Sequence, residues 1–333
     1  MIRLRRLIFN AATFAPGVMH LPAVKRVLMR RALGARGTGQ ARYCYAVWLR
    51  HLRLAAAHGL GADPRFVAEL GPGESVGAGL AALLCGAERY YAFDVVAHAN
   101  ATRNLAVFEE LVRLFQQRAP IPENNEFPHL GPTLDDYAFP EHILTADRMG
   151  RALQPERIER IRASLHNRAA RDSLIQYRAP WTTHEAVEPQ TLDMVYSQAA
   201  LEHVDGLLEV YTAMFQWLKP GGYISHQIDF NRHDAANEWN GHWTYSDPMW
   251  ALVRGKDVWL INREPYSTHQ RLIKDCGFDI VAEQLVRRRC ALRRRQLARR
   301  FRHLSDQDLT TSDAFIQAVK PGAAAPTQAV ARD

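Results

Sequence analysis

Phe66-Val67-Ala68-Glu69-Leu70-Gly71-Pro72-Gly73-Glu74-Ser75 is a short apolar run with an acid near its end, followed by a glycine turn that opens the helical pattern Val76 to Cys85. Downstream, Tyr90-Tyr91-Ala92-Phe93-Asp94 is a second apolar run ending in an acid. A buried strand, a turn that admits a ligand to the backbone, and a second strand with a ribose-binding carboxylate are how doubly wound folds hold nucleosides. Gly71 and Gly73 carry no Cβ, so the main chain can lie against a ligand there and positive φ costs little. The sequence therefore predicts an α/β fold with a Rossmann-like doubly wound sheet.

Charge around the turn narrows the ligand. A dinucleotide site wants G-x-G-x-x-G and a helix N-terminus aimed at a pyrophosphate. Here Glu69 precedes the glycines and Glu74 follows them, where a pyrophosphate would be repelled. An acid-framed turn suits a cationic ligand without phosphates. S-adenosylmethionine has that chemistry: a sulfonium, an ammonium and a ribose diol. Glycine pairs between apolar runs are also ordinary turn punctuation, so the turn alone does not decide.

A third block does. Leu192-Asp193-Met194-Val195-Tyr196-Ser197-Gln198-Ala199-Ala200-Leu201-Glu202-His203-Val204 reads as a strand opening into a helix. A helical stretch from Leu207 to Leu218 follows, then Lys219-Pro220-Gly221-Gly222 and an apolar run from Tyr223 to Phe230. With these motifs in this order and spacing, the chain from Val67 to Lys320 resembles the class I S-adenosylmethionine-dependent methyltransferases; many members have a third glycine where this chain has Ser75. The resemblance implies roles for particular residues. Glu69 would help bind the methionine end of the cofactor, directly or through water, and Gly71 and Gly73 would let the backbone come close. Asp94 would accept from both ribose hydroxyls, since an ionised carboxylate has two acceptor oxygens. Gln198 would stand at the carboxyl edge of the sheet, and the adenine would pack near Pro180 and Trp181, although Trp181 could equally be a core or loop anchor. Some quinone-biosynthesis methyltransferases similar to this chain hold a divalent metal with Glu-x-x-Glu-His at this point. Here Ala199 replaces the first acid, and Glu202-His203 alone would bind a hard cation poorly. No metal is expected, and capping and packing at a helix start is the expected role of both residues.

Methyl transfer is an in-line displacement, so much of its catalysis is positioning. A hydroxyl acceptor also benefits from a general base. The segments Ser225 to His233 and Glu238 to Tyr245 are dense in His, Asp, Asn and aromatic residues. His226 and Asp229, three apart, fall on opposite faces of a regular strand. His233 or His242 is therefore the better base candidate, with Asp229 as its partner, while each histidine could instead be a structural hydrogen-bonder. The loop and the basic segments resemble methyltransferases encoded with bacterial surface-polysaccharide synthesis. That implies O-methylation of a sugar or phosphate on a glycan or lipid-linked glycan. A quinone or lipid-like acceptor is the alternative, as is a non-catalytic relative that binds cofactor or glycan. Nucleic acid is not expected as acceptor, because the fourth strand ends Tyr-Ser-Gln-Ala and not in a tetrapeptide closing with Pro-Pro-Tyr or Pro-Pro-Phe.

With 333 residues, 47% of them apolar, the chain can bury the core of one α/β domain with additions. Its four cysteines lack C-x-x-C spacing, which fits a reducing cytosol. No apolar stretch approaches a membrane span, and Pro16, Pro22, Lys25 and Arg26 break up the N-terminal ones, so no secretory signal is expected. The net charge of +7 is unevenly placed. No acid precedes Asp63, while Arg3, Arg5, Arg6, Lys25, Arg26, Arg30, Arg31, Arg36, Arg42, Arg50 and Arg53 all do. A second cluster, 286–304, reads as an amphipathic helix with a Cys290, Leu297, Phe301, Leu304 stripe. Such segments are either solvated faces or attracted to polyanions such as the inner membrane face. The expected organisation is a basic helical extension (1–55) and a methyltransferase domain (56–320) with an insertion at 97–173. The basic helix lies between the last two strands, and a disordered tail (321–333) follows. The expected location is cytoplasmic, with peripheral contact on anionic membrane.

Overall fold

The computed structural model describes residues 12–14, 37–96, 100–167, 172–181, 184–233, 235–256 and 260–322. Strands β1 (Phe66–Leu70), β2 (Arg89–Phe93), β3 (Ile175–Arg178), β4 (Leu192–Gln198) and β5 (Leu218–Asp229) pair in parallel. Strands β6 (Asp279–Arg287) and β7 (Thr311–Val319) complete a seven-stranded sheet in the order β3-β2-β1-β4-β5-β7-β6, with β7 antiparallel to both neighbours. This is the doubly wound α/β sheet the sequence predicts. The chain reverses direction across the sheet between β1 and β4, which opens a crevice at their carboxyl ends.

Helices cover both faces, which is why the inner strands are almost wholly apolar. One face carries α1 (Ala41–Ala57), α2 (Gly77–Leu84), α3 (Ala101–Gln116), α4 (Ala146–Ala152) and α5 (Pro155–His166). The other carries α6 (Leu207–Trp217) and α8 (Tyr266–Asp275) around Phe93, Trp217 and Ile316. Between these last two, α7 (Asp247–Arg254) builds a satellite core with Ala235, Leu260 and Ile261. Every residue of α2 is buried. A Cβ at its Gly79 would fall 2.0 Å from the Tyr90 ring, so only glycine lets β2 pack its tyrosine against the helix backbone.

The insertion contributes to the core of the domain. Helices α3, α4 and α5 build core, and the stretch 117–145 between α3 and α4 is held down by α1. Arg50 of α1 is fully buried, and its guanidinium donates to the carbonyls of Pro122 (2.6 Å), Pro132 (3.0 Å) and Leu130 and to Asn124 Oδ1 (2.9 Å). Arg42 pairs with Glu126 and Arg53 with Asp136 on the same stretch. These three arginines, expected to form part of a basic surface, instead clamp the insertion to the domain. Of the expected extension, residues 1–11 and 15–36 lie outside the described residues, as do 323–333 of the expected tail.

The expected basic helix over 286–304 is corrected. That stretch forms two 3-10 turns, Arg294–Gln296 and Arg299–Phe301, before α9 (Asp306–Thr310). Its apolar stripe is real: Leu297, Phe301 and Leu304 pack on Trp243 and Leu309. A continuous helix would stack arginines four apart, Arg289 on Arg293 and Arg295 on Arg299, and such like-charge pairs destabilise helices. The guanidiniums of Arg294 and Arg302 instead take the carbonyls of Leu304 (2.6 Å) and Leu297 (3.2 Å). No helix among the described residues is long and apolar enough to cross a membrane.

Candidate functional site

The β1–β2 end comes from a single stretch of chain. Gly71 N–H donates to the Phe93 carbonyl (2.8 Å), joining the glycine turn to the end of β2. Gly71 has φ +70°, and a Cβ there would meet the Ala200 Cβ at 2.7 Å. Thr38, in the turn before α1, lies over the glycines: its Oγ1 accepts from Glu74 N–H (3.2 Å) and its carbonyl from the Ser75 hydroxyl. Glu74 pairs with Arg103 of α3, so the acid that frames the turn in the sequence is matched by a cation.

Asp94 follows β2 and is 5% exposed, and its Oδ1 accepts from Val95 N–H (2.7 Å), which fixes the carboxylate. Glu69 is 3% exposed and accepts from the Tyr90 hydroxyl. Burial pushes its carboxyl up to about 7, against the opposing pull of that hydrogen bond. Trp181 N–H donates to the Asp94 carbonyl (3.2 Å), and its indole packs 5.4 Å from Phe93 and 5.5 Å from Trp217. These contacts hold Trp181 beside Asp94.

The β4–β5–β7 end opens as a cleft of about 1000 Å³ between the sheet edge and the insertion. Gln198, Gln227, Asp229, Asn231, Arg288 and Asp313 line it, with Phe127 to Thr133 opposite. Gln198 is held on both sides: its Nε2 donates to the Gly131 carbonyl (3.2 Å), and its Oε1 lies 3.1 Å from His51 Nε2. His51 Nδ1 bonds Ser225 Oγ (2.7 Å), and desolvation lowers its pKa to about 4, so it stays neutral.

Asp229 and Asp313 stand directly opposite on β5 and β7. Facing acids separate in pKa, since both cannot ionise cheaply. Burial pushes Asp229 up, but hydrogen bonds from His233 and Asn231 outweigh it and hold its carboxyl below the ordinary value. Burial and the neighbouring Asp229 push Asp313 up to about 6, despite the pull of Ser312, Asn231 and Arg288.

Two of the proposed histidines are corrected. His226 is fully buried within the sheet, its Nδ1 on Ser197 Oγ (2.8 Å), and desolvation drives its pKa far down. His242 is sealed against Trp243 and Trp250, and burial lowers it to about 3. Neither reaches the cleft. His233 Nε2 lies 3.0 Å from Asp229 Oδ2. Its ring lines a neighbouring hollow of about 380 Å³, which shares Asn231 and Arg288 with the cleft. Glu202 and His203 lie in a 3-10 turn, Leu201–His203, and not at a helix start; each offers a donor atom within 4.8 Å of one on His233.

Sequence reasoning missed Tyr90, His51, Gln227 and Asp313. The partnership of Asp313 with Asp229 is a fact of register between strands distant in sequence. Tyr90 stood in view, as an aromatic residue on β2 above a helical glycine.

Residues 45–283 match the family described as a methyltransferase domain, over half of the chain. The chain belongs to that family. Among solved structures, this methyltransferase domain is similar to phosphoethanolamine N-methyltransferase 2 of Haemonchus contortus, at 17% identity over 82% of this chain and 53% of that one, with a TM-score of 0.41. It is also similar to an S-adenosylmethionine-dependent methyltransferase of Mesorhizobium loti, at 13% identity over 80% of this chain and 95% of that one, with a TM-score of 0.36. The chain spans about half the length of the Haemonchus enzyme. No curated protein matches it.

Proposed function

We propose that the protein is an S-adenosylmethionine-dependent methyltransferase that O-methylates a polar, hydroxyl-bearing acceptor, a sugar of a glycan or lipid-linked glycan. One observation carries the reading: the Gly71–Gly73 turn and Asp94 stand side by side at the ends of adjacent strands, joined by the Gly71–Phe93 hydrogen bond. The crevice there suits a nucleoside with a diol on Asp94 and an ammonium near Glu69.

The acceptor enters the larger cleft. Among apolar side chains such as Phe127, Leu285 and Phe315, its walls carry amide, carboxylate and guanidinium groups that can hydrogen-bond the hydroxyls of a sugar ring stacked on the aromatic ones. An acceptor oxygen pair forms the new O–CH3 bond while the C–S bond breaks, and its electrons stay on sulfur as a neutral thioether. The hydroxyl proton passes to a carboxylate of the facing pair. Asp313 is the better acceptor, because its raised pKa makes it the stronger base while it remains ionised at neutral pH. His233 orients Asp229 from behind. The exposed arginines that continue from Arg288, among them Arg289, Arg293 and Arg295, favour an acceptor carried at an anionic surface.

Calorimetry with S-adenosylhomocysteine tests the cofactor end. Asp94→Ala weakens binding about tenfold to a hundredfold, the loss of hydrogen bonds to a charged group, without lowering the melting temperature. Unchanged affinity contradicts the assignment.

A further inference from the structure

We propose that Glu202, His203 and His233 bind a divalent transition-metal ion beside the acceptor cleft. The three side chains come from two separate segments, the turn after β4 and the loop after β5, and converge with donor atoms within 4.8 Å of one another. His203 Nε2 lies 3.9 Å from Glu202 Oε1, too far for a hydrogen bond. Two donors bound to one ion at about 2.0–2.2 Å stand up to about 4.4 Å apart, so small imidazole rotations bring all three onto a common centre.

The surroundings hold the donors in place. Asn262 clamps the turn that carries two of them: its N–H donates to the Glu202 carbonyl (2.6 Å), and its Nδ2 to the carbonyls of Leu201 (2.9 Å) and Val204 (2.8 Å). His233 is fixed at φ +44°, a left-handed conformation that costs a non-glycine residue energy. Its Nε2 bonds Asp229 Oδ2 at 3.0 Å. A carboxylate on the far nitrogen is the arrangement that orients a metal-bound imidazole and raises its basicity.

The donor set chooses the ion. Two imidazoles and one carboxylate suit zinc, cobalt, iron or manganese, whereas magnesium and calcium want oxygen. Three protein ligands leave coordination positions open. Glu202 is buried and His203 nearly so, while His233 lines the hollow of about 380 Å³, so the open side faces Asn231 and Arg288. There the ion takes an oxygen of the acceptor, a hydroxyl or phosphate, and lowers a hydroxyl's pKa. This role rests on the methyltransferase reading; metal binding itself does not.

The test is titration of the chelator-treated full chain with Co2+, followed by its visible absorption. One equivalent binds, displaced by Zn2+ and indifferent to Mg2+. His203→Ala and His233→Ala each weaken binding at least a hundredfold, and Asp229→Asn about tenfold. Each variant is checked by thermal unfolding and by binding of S-adenosylhomocysteine. Absence of Co2+ binding at millimolar concentration, or binding unchanged in both histidine variants, overturns the proposal. A protein that binds S-adenosylhomocysteine but no Co2+ counts against the metal site alone. One that binds Co2+ but no S-adenosylhomocysteine counts against the methyltransferase reading and supports the site.

Discussion

At the β1–β2 end, Glu69, Gly71, Gly73 and Asp94 come from one short stretch of chain, and a strand, a turn and a strand suffice to place them. At the β4–β5–β7 end, the cleft gathers Gly131, Gln198, Gln227, Asn231, Arg288 and Asp313, and only the finished sheet and the clamped insertion bring these together. The two ends also treat their acids differently. Glu69 is raised by burial beneath a tyrosine, whereas on facing strands burial and then Asp229 raise Asp313, and hydrogen bonds from His233 and Asn231 outweigh burial to lower Asp229. A local motif can hold a cofactor shared by many enzymes, while acceptor choice is left to long-range packing.

The largest expected effect separates the two ends cleanly. Asp313→Asn lowers turnover about 10²–10⁴-fold, the usual worth of a general base, and leaves cofactor affinity intact. Asp313 must be ionised to take a proton. Wild-type turnover therefore falls as pH drops through about 6, with Asp229 and Arg288 the charged neighbours that set the value. A rate profile flat across that range breaks the contrast between the facing acids.

Next in size is the clamp. Arg50→Ala strips a buried donor from three carbonyls and Asn124, and costs about 3–5 kcal/mol of stability. In variant protein kept folded at low temperature, the acceptor KM rises while S-adenosylhomocysteine still binds. If both ends fail together, the insertion serves the whole fold and not the cleft.

The smallest effect sharpens the cofactor end. Glu69, raised to about 7, attracts the cofactor's ammonium only when ionised, so affinity for S-adenosylmethionine falls as pH drops from 8 to 6, by about tenfold. Glu69→Gln flattens that profile. Asp94, Tyr90 and Tyr196 face the same carboxyl and shape its value. A profile unchanged in the variant removes Glu69 from the binding site.

How much of this was legible in sequence follows the same division. The sheet was readable because its strands are apolar runs with turns between them, and the candidate cofactor residues could be named together because they follow one another along the chain. The 286–304 segment was misread as a helix because its leucine and phenylalanine spacing is helical. The cost of stacking arginines, and the guanidiniums that capture its carbonyls, do not show in a periodicity. Arg50 looked like surface charge because nothing local reveals that a distant loop will supply four acceptors. His233 was read as a base, and its convergence with Glu202 and His203 depends on where two loops end in space.

A crystal structure of the protein soaked with S-adenosylhomocysteine tests the central claim most directly. The account predicts the ribose hydroxyls on the Asp94 carboxylate and the amino-acid end over the Gly71–Gly73 turn, with the sulfur facing the cleft that holds Asp313. A nucleoside bound elsewhere, or Asp94 turned away from the diol, contradicts it.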